Sequence, residues 1–195
     1  MRSKDNRKAA LIREKAIEMI VKEGFDGFSM KKLADQADIS PSTIYIYFDS
    51  KEDMLTKLFM EVAGEFEEDT LRDFEPSMSF EKGLWRQWKN RYRNIMKDPV
   101  RFYFLEQFRN SPRIKHEAIG KSVIRDKMKE FVKNARERNE VKALPPEVFW
   151  AMAFGPFYTL IKFHLNQSDT LEQKYTLDET KLKQAFDLVI KALKP

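Results

Sequence analysis

The sequence contains no cysteine, which excludes disulfides, thiol nucleophiles and thiolate metal ligands. Glycine is scarce, with 6 residues, and no glycine-rich phosphate loop is present. The two histidines, His116 and His164, are far apart in the sequence, which argues against a zinc site and against a catalytic histidine. We therefore predict a protein that is not an enzyme and that carries neither a metal nor a cofactor. A reducing compartment is permitted but not required.

Long hydrophobic runs are also missing. The longest apolar stretch, residues 148–161, contains Gly155 and Pro156 and falls short of the roughly 20 residues that a membrane span needs. The first apolar run, residues 9–12, is too short for the core of a signal peptide. The sequence thus predicts a soluble, cytoplasmic protein without a membrane partner.

The charge of the chain does not by itself identify a partner. The net charge is +5, yet residues 1–60 hold 11 Lys and Arg against 10 Asp and Glu. A solvated basic surface explains such a balance as well as nucleic-acid binding does. If the N-terminal region binds DNA, a local placement of basic groups has to provide the attraction.

Apolar residues recur at spacings of three and four, which predicts an all-α fold with about nine helices. The first helix covers about residues 5–23, with an inner stripe of Ile12, Ala16, Met19 and Ile20. Gly24 follows as a helix-ending residue, because glycine readily adopts a positive φ.

Two short helical segments and a tight turn come next. Ser29 can cap a helix over residues 30–37, and Ser40 can cap one over residues 41–48 with Pro41 in the first turn. Ser50 then opens a longer helix. Helices this short are marginal alone, so the pair is expected to pack on the first helix as a helix-turn-helix. Its function would be to insert the second short helix into the DNA major groove.

The second short helix has an apolar and a mixed face. Ile44 and Phe48 are four residues apart and are predicted to face the core, which turns Ser42, Thr43, Ile46 and Tyr47 outward. Hydroxyl groups can bond phosphates or base edges, and an apolar tip can contact a thymine methyl. Since Ile46 lies between Tyr45 and Tyr47, we interpret this face as a contact surface.

This segment resembles the TetR family of transcriptional regulators over about residues 5–60. The resemblance depends on Phe28-Ser29-Met30, Leu33-Ala34, residues 37–40, residues 43–48 and Ser50-Lys51-Glu52. It implies that Tyr45 and Tyr47 touch DNA, that Lys51 contacts phosphate and that Lys31 reaches a base in some members. Ser42 and Thr43 match the start of the recognition helix.

The sequence departs from the family pattern at two positions. Asp38 stands where the turn usually has glycine, and Met30 where threonine is frequent. Aspartate tolerates the left-handed conformation better than most residues, so we expect Asp38 to adopt it with some strain.

Further helices are predicted at 79–97, 99–109, 112–138, 146–166 and 178–194. We divide the chain into a helix-turn-helix domain at residues 1–50, which continues into a linking helix at 51–73, and a helical bundle at 74–195. The family resemblance implies that this second domain binds an effector and forms a homodimer through its last two helices.

Aromatic residues are concentrated on three helices of the second domain. Ordinary core packing explains most of them, but a ligand cavity in a helical bundle would have the same lining. The predicted effector site is therefore apolar or aromatic, with polar tips from tyrosine and tryptophan; its residues are Trp88, Tyr92, Tyr103, Phe108, Trp150, Phe154 and Tyr158.

The last helix has an apolar stripe near the end of the chain. We assign Phe186, Val189 and Leu193 on this stripe to the homodimer interface. The combined interpretation is a homodimeric repressor that releases operator DNA when a small hydrophobic or aromatic effector binds. An activator or a regulator controlled by a protein partner is one alternative, and an all-helical enzyme is a remote one.

Overall fold

The computed structural model describes residues 2–109, 122–166 and 175–195, with side chains from residue 7 onward. Within these ranges it is all-helical, and the fold class predicted from the sequence is confirmed. None of the described helices is long and apolar enough to cross a membrane. The described helices are α1 (Arg2–Gly27), α2 (Met30–Gln36), α3 (Pro41–Ile44), α4 (Lys51–Leu71), α5 (Phe80–Lys97), α6 (Pro99–Arg109), α7 (Val123–Glu137), α8 (Pro146–Asn166) and α9 (Glu179–Leu193).

The chain divides into two compact units that are each built from two stretches of sequence. The N-terminal unit comprises Met1–Phe66 and Lys97–Lys121, and the C-terminal unit comprises Glu67–Met96 and Ser122–Pro195. Packing thus divides the chain differently from the boundary that we placed at residues 73/74. The difference arises because α6 packs against α1 and so belongs to the N-terminal unit.

The core of the N-terminal unit forms where α1 meets α6 and α4. The predicted inner stripe of α1 is buried, and Phe108 of α6 packs edge-on against Phe25 at 4.8 Å and stacks on Phe59 at 5.0 Å between ring centroids. The side-chain amide of Gln107 donates a hydrogen bond to the Val21 carbonyl at 3.1 Å. These contacts give the short helices α2 and α3 a rigid support.

A charged cluster holds α6 to its neighbours in the same unit. The guanidinium of Arg101 pairs with Glu14 of α1, Glu65 of α4 and Asp98 at the start of α6. Because one planar guanidinium has five donors, it can bond three carboxylates from three parts of the chain at once. Arg101 therefore fixes α6 in the N-terminal unit more specifically than ring packing alone would.

The core of the C-terminal unit lies between α5, α7, α8 and α9. Trp88 is fully buried, with its ring 5.3 Å from Phe157 and 5.4 Å from Phe186 between centroids. At Gly83 a Cβ atom would lie only 2.3 Å from the Phe131 ring, so only glycine allows α5 and α7 to approach this closely.

Local capping signals place most of the helix starts. The side chains of Ser29, Ser50, Asp98 and Asp178 accept hydrogen bonds from backbone N–H groups three residues later, and the helix starts predicted at Ser29 and Ser50 are thereby confirmed. The backbone N–H of Lys181, as the main cause, lowers the pKa of Asp178. The start predicted at residue 112 lies outside the described residues. The prediction of a single helix over residues 112–138 is wrong, because Ser122 has an extended backbone and caps α7, which begins at Val123.

Candidate DNA-binding surface and effector region

The turn between α2 and α3 has the backbone geometry that the sequence predicted. Asp38 adopts a positive φ of 51°, so the expected left-handed conformation is confirmed. The Ile39 N–H then bonds back to the Ala34 carbonyl at 3.0 Å, which ends α2. Leu33 and Ala34 are buried beneath the turn, and α2 packs on α1.

The recognition segment is tighter than the helix that we predicted over residues 41–48. It is α-helical only at Pro41–Ile44. The Ile46 N–H then bonds to the Thr43 carbonyl at 3.3 Å and the Tyr47 N–H to the Ile44 carbonyl at 2.9 Å, both in an i to i−3 pattern. These i to i−3 hydrogen bonds reduce the diameter of the segment, but Ile44 and Phe48 still point inward as predicted.

The inward and outward sides of this segment are sharply separated. Ile44 and Phe48 are 0% and 3% exposed, whereas Tyr45 and Ile46 are 53% and 75% exposed. A 75% exposed isoleucine beside an exposed tyrosine is poorly explained by folding, since neither side chain contributes to the core. Such a surface is suited to contact with another molecule.

The remaining polar residues assigned to DNA lie around this tip. Ser42 is exposed, whereas Thr43 and Tyr47 are half-buried. The Ser40 hydroxyl lies 2.8 Å from that of Ser42 and 2.9 Å from that of Thr43, so the predicted cap residue bonds side chains and not the backbone of α3. Lys31 is exposed on α2.

Lys51 has a different environment from the other residues assigned to DNA. It is half-buried at the start of α4, and its ammonium donates to the carbonyls of Phe28 at 2.7 Å and Phe25 at 3.1 Å. A neighbouring lysine that the sequence analysis did not single out, Lys32, donates to the Gly27 carbonyl and pairs with Glu23, both at 3.0 Å. The available signal for both lysines was the end of α1 before Ser29, because the last carbonyl oxygens of a helix have no intrahelical partner.

The residues assigned to the effector are divided between the two units. The C-terminal unit holds Trp88, Tyr92, Trp150, Phe154 and Tyr158; Tyr103 and Phe108 lie on α6 in the N-terminal unit. Phe108 is 3% exposed and is packed by the rings of Phe25 and Phe59, which accounts for it as a core residue.

Within the C-terminal unit, hydrogen bonds fix two of the predicted polar tips. The Trp88 indole N–H donates to the Ala153 carbonyl at 2.9 Å, and the Tyr92 hydroxyl donates to the Leu177 carbonyl at 3.0 Å. Burial, followed by the charges of Asp178 and Glu179, raises the pKa of Tyr92, which keeps the phenol protonated as a donor.

Of the effector residues predicted on α8, Phe154 is buried, whereas Trp150 and Tyr158 lie closer to solvent. The Trp150 ring is 41% exposed and stacks on Phe154 at 4.9 Å between centroids. Tyr158 is half-buried and meets Phe157 edge-on at 5.1 Å.

A buried polar group accompanies these rings and was missed by the sequence analysis. Arg91 is 3% exposed, and its guanidinium lies over the Phe154 ring at 4.6 Å from the centroid. It also donates to the Gln87 carbonyl at 3.2 Å. Its position three residues after Trp88, on the inner face of α5, was the available signal, but a charged residue is rarely assigned to a core.

The residues assigned to the homodimer interface lie inside the C-terminal unit. Phe186, Val189 and Leu193 are all buried, and the Phe186 ring lies 4.8 Å from Trp85 and 5.4 Å from Trp88. Packing within one chain thus already accounts for the apolar stripe of α9. Outward-facing apolar residues occur at other positions of the same two helices: Val148, Met152 and Phe163 on α8 and Leu188 on α9.

In the described part of the chain, no group of three or more His, Cys, Asp or Glu side chains could hold a metal ion. His164 accepts a hydrogen bond from the Leu177 N–H through Nδ1 at 3.2 Å, so it has a structural contact at the end of α8. His116 lies outside the described residues.

Two family models match the chain. The model of bacterial regulatory proteins, tetR family, matches residues 12–58, and the model of a tetracyclin repressor-like C-terminal domain matches residues 83–188. An uncharacterized HTH-type transcriptional regulator from Haemophilus influenzae is 29% identical over 97 residues, which cover 50% of this chain and 52% of that relative. The chain thus matches about half the length of this curated relative.

Solved structures resemble almost the whole chain. A TetR family transcription regulator from Marinobacter aquaeolei superposes with a TM-score of 0.84 at 24% identity and covers 99% of this chain and 98% of its own. A transcriptional regulator from Bacillus subtilis in complex with stearoyl-CoA has a TM-score of 0.62 at 21% identity, with coverages of 93% and 97%. At these identities the likeness shows the fold alone.

Proposed function

Because the chain belongs to the TetR family of bacterial regulatory proteins and is a DNA-binding transcriptional regulator, we propose that it is a dimeric repressor released from DNA by a small apolar effector. The observation that supports this proposal most strongly is the exposed tip of the recognition segment. Tyr45 and Ile46 point to solvent, while Ile44 and Phe48 anchor the same turn in the core. Folding does not require these two exposed side chains, so we attribute them to contact with DNA.

We assign the DNA contacts according to the chemistry of each side chain. The hydroxyls of Ser42, Thr43, Tyr45 and Tyr47 suit phosphates or base edges. Ile46 suits the methyl group of a thymine, and exposed Lys31 suits a phosphate or a guanine edge. DNA binding requires positive charge only near the phosphates, so the nearly balanced charge of residues 1–60 does not argue against these contacts.

We place the homodimer interface on the outward faces of α8 and α9. Val148, Met152 and Phe163 follow one another along one face of α8, and Leu188 is 67% exposed on α9. A second copy seated on these faces would form a four-helix arrangement across a two-fold axis. Two recognition segments would then read half-sites about 34–36 Å apart, or a multiple of that distance.

We propose that the effector binds among the aromatic residues of the C-terminal unit, namely Trp88, Tyr92, Trp150, Phe154 and Tyr158. The stearoyl-CoA bound to the Bacillus subtilis structure supports an apolar, chain-like effector for this fold. Release would follow by a population shift, because an effector that binds one dimer conformation more tightly favours it over the DNA-binding one.

The test combines two measurements on one sample. DNA fragments selected by the protein from a bacterial genome would supply the operator, and fluorescence anisotropy would report its binding. Stearoyl-CoA and a set of small aromatic compounds would be titrated while the emission of Trp85, Trp88 and Trp150 is recorded. We expect one class of compound both to change the emission and to release the operator. Emission changes without release would contradict the repressor mechanism, and DNA that never binds would contradict the assignment of the reading surface.

A further inference from the structure

We propose that Asp53 is a positioning residue that fixes the end of the recognition segment, residues 41–48, through the backbone of Asp49. Asp53 lies in the first turn of α4, outside the segment that it restrains. The proposal rests on the assignment of the recognition segment to DNA contact and on no property of the effector. It accounts for how so short a segment holds its exposed side chains in place.

The first turn of α4 departs from an ordinary capping box. Ser50 caps the helix, since its hydroxyl accepts a hydrogen bond from the Asp53 N–H at 3.0 Å. In a capping box the side chain of the third helical residue bonds back to the N–H of the capping residue. The Asp53 carboxylate instead accepts from the N–H of Asp49, one residue earlier, at 3.0 Å. The bond therefore extends beyond α4 to the residue that directly follows the recognition segment.

Lys57 holds the Asp53 carboxylate and also covers the end of the segment. Its ammonium lies 2.8 Å from the same carboxylate oxygen that accepts from Asp49, and 5.8 Å from the centroid of the Phe48 ring. Asp53 and Lys57 are four residues apart on α4, a spacing at which opposite charges meet on one helix face. The Lys57 ammonium, as the main cause, and the Asp49 N–H lower the pKa of Asp53, which keeps the carboxylate charged as an acceptor.

The recognition segment needs a restraint at this point. Its α-helical part is only Pro41–Ile44, and helices this short are marginal on their own. At its start, the Ser40 side chain makes no capping hydrogen bond to the backbone of α3. At its end, Phe48 is buried and its N–H bonds to the Ile44 carbonyl at 3.1 Å. The bond to Asp49 fixes the next peptide group, so the segment is restrained where the chain leaves it.

The negative charge of Asp53 allows the proposal to be tested by the sign of an effect. A carboxylate near DNA repels the phosphates, so its removal strengthens binding if the side chain contributes only its charge. If the side chain positions the recognition segment, its removal weakens binding despite the lost repulsion. Glu52 provides the comparison, because it is an exposed carboxylate on the same turn of α4.

The test compares four variants under conditions where each is folded. Asp53→Ala removes the carboxylate, and Asp53→Asn removes the charge but keeps an oxygen that can accept from the Asp49 N–H. Glu52→Ala is the control for charge. Ser50→Ala is the control for the capping of α4, because it removes the hydroxyl cap and leaves the bond between Asp53 and Asp49. Amide hydrogen exchange is measured on the DNA-free protein, and operator affinity is measured by fluorescence anisotropy.

We expect Asp53→Ala to accelerate exchange of the Asp49 amide and to weaken operator binding by about tenfold. Asp53→Asn should restore most of both properties, because the acceptor oxygen is retained. Glu52→Ala should bind the operator at least as tightly as the wild type. Ser50→Ala should unfold at a lower temperature and bind the operator with nearly unchanged affinity.

Operator binding that is unchanged or tighter in Asp53→Ala would overturn the proposal. An unchanged exchange rate of the Asp49 amide would overturn it as well. It would also fail if Ser50→Ala lost as much affinity as Asp53→Ala, or if Asp53→Asn restored neither property. If the wild type binds no DNA, the assignment of the reading surface is wrong, whereas the exchange rate of Asp49 still decides whether Asp53 restrains this peptide group.

Discussion

Both units expose large apolar side chains, and one such surface in each unit can be compared by its shape. The N-terminal unit presents Tyr45 and Ile46 on a tight turn of a few residues, whereas the C-terminal unit presents Val148, Met152 and Phe163 along a helix of 21 residues. A narrow tip fits a major groove about 12 Å wide. A long helical face fits another helical face, so the shape of the exposed surface indicates the kind of partner.

The same difference extends to how each unit is held together. In the N-terminal unit the geometry depends on helix caps, a left-handed turn at Asp38 and the charged cluster at Arg101. In the C-terminal unit it depends on ring packing around Trp88 and Phe186. Ring contacts and helix caps nevertheless occur in both units, since Phe108 packs on Phe25 and Phe59 and Asp178 caps α9.

The largest expected effect concerns the packed rings. Phe186→Ala should destabilise the C-terminal unit by about 3–5 kcal/mol, because the ring is buried against Trp85 and Trp88 and its loss leaves a cavity. Urea unfolding followed by tryptophan emission measures this. If the variant instead stays stable but becomes monomeric, Phe186 belongs to the interface between two copies.

The next effect tests the exposed helical face. Leu188→Glu should leave the unfolding curve unchanged but separate the dimer, since a carboxylate buried between two copies costs several kcal/mol without a partner. Sedimentation equilibrium gives the mass. Val123→Glu is the matched control, because Val123 is also exposed but lies on α7. Equal behaviour of the two variants would place the interface elsewhere.

A smaller effect is expected at the tip of the recognition segment. Ile46→Ala should weaken operator binding by about 1–2 kcal/mol with unchanged stability, because 75% of the side chain is already exposed in the free protein. Replacing individual thymines of the operator by uracil should weaken the wild type at one position and have no effect there on Ile46→Ala. If every uracil is tolerated by the wild type, Ile46 does not read a thymine methyl.

The smallest effect compares one left-handed residue from each unit. Asp38 has a φ of 51° and Asn139 a φ of 55°, a region where glycine has no steric penalty. Asp38→Gly and Asn139→Gly should each change the free energy of unfolding by no more than about 1 kcal/mol. Glycine removes the backbone strain of the positive φ but adds conformational entropy to the unfolded chain, so the variant is stabilised only where the strain is the larger effect. Thermal unfolding measures both. A large loss of stability at either site would show that the side chain makes a local hydrogen bond that the fold requires.

The sequence predicted those features that depend on a few neighbouring residues. The caps at Ser29 and Ser50 and the turn at Asp38 follow from local backbone chemistry, so predicting them required no knowledge of the fold. The inward faces of Ile44 and Phe48 follow from their spacing of four.

The sequence could not predict which helix covers which apolar face. Phe108 looked like a lining residue, but α6 packs on α1 and buries it in the N-terminal unit. Phe186 looked like an interface residue, but α5 covers it within the chain. Hydrophobic spacing identifies the apolar face of a helix but not the helix that packs against it, because many arrangements of the helices bury the same apolar area. Only the folded chain shows that Lys51 reaches carbonyls 23 residues or more earlier in the sequence.

The assignment of α6 to the N-terminal unit has a consequence for how the protein folds while it is being made. Phe108, Gln107 and Arg101 complete the core around α1, yet they are synthesised more than 30 residues after Phe66, where the first stretch of that unit ends. At about 5–20 residues per second, a ribosome needs seconds to deliver them. During that interval the newly made α1 and α4 expose the apolar surfaces that α6 later covers, so the DNA-reading unit is synthesised in large part well before its core can be completed.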